Sequence, residues 1–129
     1  MNNFNQKQKD LLITQFYASV IFIITIIVST ILTYNNILKL QNKKSIFTKR
    51  KEKIAIFTNR ISLTIIAITF TYINYGFYLL NKQNKKATIQ KEELIASILT
   101  LIAGLILLDS TIKSLKQTNE PLNIDTPIF

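Results

Sequence analysis

Polar and apolar positions along this chain are sorted into blocks instead of alternating. Three runs, residues 11–34, 61–80 and 94–108, carry no charge and are almost wholly apolar. An amphipathic helix in water would break such runs with a charge every turn or so, because one face must be solvated. A helix needs about 20 apolar residues to cross a hydrocarbon core ~30 Å thick. The first two runs, of 24 and 20 residues, meet that length. The third alone would reach only roughly 22 Å at 1.5 Å per residue. Extended through Asp109 to residue 112 it becomes long enough. Asp109 then falls near the helix end, where an acid costs less than the ~2.5–3.5 kcal/mol of a mid-bilayer charge. Lys113, four residues on, is placed to pair with it.

The pattern therefore predicts an all-α membrane protein: three transmembrane helices in a small bundle, forming a single integral membrane domain. The spans cover about 11–34, 61–80 and 94–112, with a basic loop at 35–60 and a flexible tail at 117–129. Within the loop, Ile46, Phe47, Ile54, Phe57 and Ile61 recur at about helical spacing. That suggests an amphipathic basic helix on the membrane surface ahead of the second span. The alternative is a solvated loop with a few anchoring hydrophobes. The first run exceeds the ~7–15-residue core of a secretory signal and is followed by no Ala-x-Ala site, so it reads as an uncleaved span.

Charge refines this picture. Sixteen Lys and Arg against seven Asp and Glu give a net charge of +9. The excess flanks the spans, where anionic lipid headgroups are nearer partners than nucleic acid. Lys43, Lys44, Lys49, Arg50, Lys51 and Lys53 are the candidate lipid contacts. Lys7 and Lys9 precede the first span and eight basic residues follow it, which under the positive-inside rule predicts N-out, C-in, with loop 35–60 in the cytoplasm.

Helices in lipid meet through small and weakly polar side chains. Ala18, Thr25, Ser29 and Thr33 form such a stripe in the first span. Thr64, Ala67, Thr71 and Asn74, extended by Arg60 and Tyr78, form one in the second, and Ala96, Thr100, Ala103 and Gly104 one in the third. Candidate helix-packing or polar-path residues are Thr64, Thr71, Asn74, Thr100, Gly104 and Asp109. Asn74 is the most polar residue of a spanning segment, suited to an interhelical hydrogen bond or to a polar path.

Catalytic signals are lacking. The sequence has no His and no Cys, removing the commonest general base and metal ligand together with thiol chemistry. Two glycines cannot build a Gly-rich phosphate loop. The expectation is a non-enzyme with no cofactor and no metal.

The stretches LTYNNILKLQNKKSIF (32–47) and EELIASILTLIAGLILL (92–108) resemble those of small uncharacterised membrane proteins of low-GC Gram-positive bacteria. The resemblance implies a bacterial cytoplasmic membrane and no particular activity. The functional expectation is an accessory or regulatory subunit, or a self-associating protein, embedded in a bilayer with anionic lipids as homo-oligomer or part of a larger membrane complex. The rivals are a holin-like pore former, although the tail after Lys116 lacks the strongly basic character of holins, and a small transporter or channel subunit.

Overall fold

The first helix, α1, spans Asn2–Leu40 and runs through the first apolar run into the asparagines beyond it. At roughly 58 Å it is longer than any hydrocarbon core, so its ends project past the apolar slab. Its C-terminus closes in a Schellman arrangement. Asn42 takes a left-handed backbone (φ 56), Lys43 N donates to Leu38 O at 2.9 Å, and Asn42 N donates to Lys39 O at 3.1 Å. Asparagine is the residue after glycine most at ease in that conformation.

The computed structural model describes residues 2–82 and 87–116; the expected tail at 117–129 lies outside them. Helix α2 spans Lys49–Asn81 and α3 spans Ala87–Lys116. Of residues 35–60, only 41–48 lie outside helices. Residues 49–53, basic apart from Glu52, open α2 and run unbroken into the second span instead of forming a separate surface helix; Thr48 caps their start, its side chain accepting from Lys51 N at 3.3 Å. All three helices are long and apolar enough to cross a membrane.

Helix α2 is central. It packs against α1 on one side and α3 on the other, while α1 and α3 bring no described Cα pair within 8 Å of each other. Packing is inverted relative to a water-soluble bundle. Among the described residues the buried apolar side chains are Ala18, Leu32, Ile66, Ala67 and Ile73. The buried polar ones are more numerous: Thr25, Ser29, Asn35, Glu52, Asn59, Arg60, Thr64, Asn81 and Thr111. Large apolar residues face outward, with Phe16 at 65% and Ile106 at 64% exposure. Water would penalise such a surface heavily, whereas lipid tails solvate it. The chain is a multi-pass helical membrane protein.

The many hydroxyls within the spans are compatible with that solvent. Thr30, Thr69 and Thr100 donate to Ile26 O, Ile65 O and Ala96 O, each at 2.9 Å and four residues back. A hydroxyl satisfied by its own helix needs no partner across an interface.

Candidate functional site

Two polar regions connect the helices, one near each end of the bundle. The first lies at the end that carries residues 41–48. Asn59 Nδ2 donates to Ser29 Oγ at 2.8 Å, joining α2 to α1 through two buried side chains. Two turns toward the loop, the fully buried Asn35 donates to Glu52 Oε2 at 3.2 Å and accepts from Ile46 N at 2.7 Å. Lys39 Nζ forms an ion pair with the same Glu52 oxygen. One asparagine thus ties α1 to both α2 and the connecting loop. Glu52 is 1% exposed, and its other oxygen, Oε1, meets no hydrogen-bond partner. Ile54 and Phe57 point outward, so the first turns of α2 direct Glu52 toward α1 and hydrophobes away from it.

Arg60 follows one position after Asn59 and is 4% exposed. Its Nε and Nη1 are sealed from solvent and meet no acceptor. Arg60 lies on the stripe of α2 that also carries Thr64, Ala67, Thr71 and Asn74.

The second region lies toward the opposite end. Asn74 Nδ2 donates to Ser97 Oγ, bridging α2 to α3, and Ser97 Oγ donates in turn to Glu93 O at 3.0 Å. These residues line a groove of about 750 Å³ between α2 and α3, flanked by Gln15 and Phe22 of α1. The α3 wall is mostly small: Ala96, Ser97, Thr100, Ala103 and Gly104. Small walls let α3 approach α2 closely while covering little side-chain surface, and among the described residues of α3 only Thr111 is buried. A Cβ added at Gly104 would meet nothing within 4 Å. By contrast, a Cβ at Gly76 would come within 2.8 Å of the Leu11 side chain of α1.

No protein-family model, no curated protein and no solved structure matches the chain. The arrangement of its own residues therefore carries the functional argument.

The sequence candidates distribute as follows. Thr64 is buried and donates to Arg60 O at 3.0 Å, and Thr71 is half-buried and donates to Ala67 O at 2.8 Å. Asn74, Thr100 and Gly104 come together in the groove. Asp109 stands apart, paired with Lys113 at 3.0 Å, both side chains largely exposed. Lys43, Lys44, Lys49, Arg50 and Lys51 are exposed and Lys53 is half-buried. Among the described residues, no three His, Cys, Asp or Glu side chains converge on a metal-sized site. Sequence reasoning missed the Asn35–Glu52–Lys39 cluster. Its available signal was a lone acid, Glu52, within a run of five basic residues from 49 to 60.

Proposed function

We propose that this protein is a non-catalytic integral membrane protein that acts by association within the bilayer, through the open face of α3. One observation carries the reading. On the small-residue wall of α3, Ala96, Thr100 and Ala103 stay exposed, and Gly104 has free space where a side chain would begin. A helix-packing glycine earns its place through close backbone approach, and no atom of the described chain lies within 4 Å of where its side chain would start. The occupant is a second copy. Ala96, Thr100 and Gly104, spaced by four, form a small-xxx-small stripe that is self-complementary across a two-fold axis. A partner helix of another protein on the same face corresponds to the accessory-subunit form of the reading.

In this reading the loop at 41–48 lies in the cytoplasm with N-out, C-in threading, and Lys43, Lys44, Lys49, Arg50, Lys51 and Lys53 rest on anionic lipid. The host is a bacterial cytoplasmic membrane.

The chain contains no cysteine, so single-cysteine variants report without background. Thr100→Cys and Gly104→Cys in native membranes should give a crosslinked species of twice the chain mass. Ile102→Cys and Ile106→Cys, about 160° around the helix, should give far less. A defined heavier adduct at 100 and 104 supports the accessory-subunit form. Equal crosslinking on both faces, or none at native abundance, overturns the reading.

A further inference from the structure

We propose that Arg60 is a binding site for a phosphate oxyanion at the loop-side boundary of the bilayer. A guanidinium is charged at every physiological pH and offers five N–H donors in a planar fork. Two of its nitrogens here, Nε and Nη1, are cut off from water and have no acceptor, on a side chain that is 96% buried. An uncompensated buried charge is costly, so a missing counter-charge is the defect that the site presents.

The charges nearby do not fill it. Glu52 lies two turns away on the same helix; its Oε2 is engaged by Lys39 and Asn35, and its Oε1, though without a partner, forms no contact with Arg60. Asp109 is engaged by Lys113. Asn59, the adjacent polar side chain, donates its amide N–H toward Ser29. Among the described residues no carboxylate meets the guanidinium, and an anion from outside the chain is the complement this site calls for.

Depth selects the class of anion. If the charge-free stretch 61–80 fills a core of about 30 Å, Arg60 stands at its edge, where lipid phosphates begin. The same helix leads toward this level through Lys49, Arg50, Lys51 and Lys53, which concentrate anions near the surface. Arginine suits phosphate better than lysine does because it can bind two oxygens at once. The ligand chemistry is a phosphate oxyanion, and its source is either a phospholipid headgroup or free phosphate. This assignment is independent of the α3 face and of what docks there.

The chain has two arginines, Arg50 and Arg60. In the Arg50→Lys chain, isotope-labelled arginine therefore reports on Arg60 alone. Solid-state recoupling between guanidinium nitrogen and phosphorus can be measured in two preparations: phosphatidylglycerol vesicles in phosphate-free buffer, and glycolipid vesicles with added inorganic phosphate. Recoupling in the first supports the site with lipid as its source, and in the second with free phosphate as its source. Absence of recoupling in both overturns it. As an affinity readout, Arg60→Gln should lower retention of one phosphatidylglycerol on the detergent-solubilised chain about tenfold, with Arg60→Lys between the two. Where recoupling names lipid as the source, equal retention by folded Arg60→Gln, with helicity unchanged, also overturns it.

Discussion

The contact of α1 with α2 and that of α3 with α2 are built on opposite principles. Toward α1, α2 presents Glu52 and Asn59, and each meets a specific partner on the facing helix. The side chains that fill this region, Asn35 and Leu32, are at most 1% exposed. Toward α3 it meets small residues beside an open groove, with a bridging hydrogen bond from Asn74 to Ser97. The difference teaches how a helix pair can be settled or left available. Directional polar pairs fix the register of α1 on α2, because a slip would leave several buried groups without partners. Small-residue packing holds α3 close without consuming its face.

The largest break should come from the first contact. Glu52→Ala removes the acceptor shared by Lys39 and Asn35 and leaves the wholly buried Asn35 amide without that acceptor. Losing one partner of a fully buried pair costs ~3–5 kcal/mol. Lys39 is 36% exposed and can regain water, so the expected loss is about 2–3 kcal/mol. Equilibrium unfolding in mixed micelles measures it. A loss no greater than that of a Lys51→Ala control would remove the ion pair from any role in holding α1 to α2.

The second comparison sets the two bridging asparagines against each other. Interhelical hydrogen bonds in membranes average about 0.6 kcal/mol and reach about 1.7. Asn59→Ala should approach the upper figure, since Asn59 and Ser29 are each 4% exposed. Asn74→Ala should stay near or below the average. It sits beside an open groove, and Ser97 keeps its bond to Glu93 O after the change. Equal losses from the two, in the same micelle assay, would erase the proposed asymmetry between the contacts.

These predictions also mark what was legible in the sequence. The three apolar runs define the spans, because lipid tolerates no charge along them. Helix limits were less legible. Asn35 and Asn36 resemble a loop signal, yet Asn35 lies inside α1, where Glu52 and Ile46 N satisfy its amide. The apolar spacing of Ile54 and Phe57 marks a real helix but not its inward face, since the polar residues opposite point toward α1. Thr signals were ambiguous for a different reason. The hydroxyls of Thr71 and Thr100 bond their own helices, so small polar residues mark a permissive face without naming what meets it. The small stripe of α3 was readable, but the free space beside Gly104 was not, because it depends on where the neighbouring helices stop short of it.

The smallest effect is the most discriminating, because it reverses sign. Alanine in a helix interior is favoured over glycine by up to about 1 kcal/mol. At Gly104 the added methyl meets open space, so Gly104→Ala should leave the isolated chain in micelles unchanged or slightly more stable. At Gly76 the same methyl presses on the flexible end of Leu11, which must move, so the propensity gain is offset. In membranes the order should invert. If α3 associates through its open face, Gly104→Ala holds two backbones apart and lowers the Thr100→Cys crosslink yield, whereas Gly76→Ala leaves that yield alone. A Gly104→Ala chain that is as stable as the parent in micelles and crosslinks as well in membranes would show that the space beside Gly104 belongs to lipid.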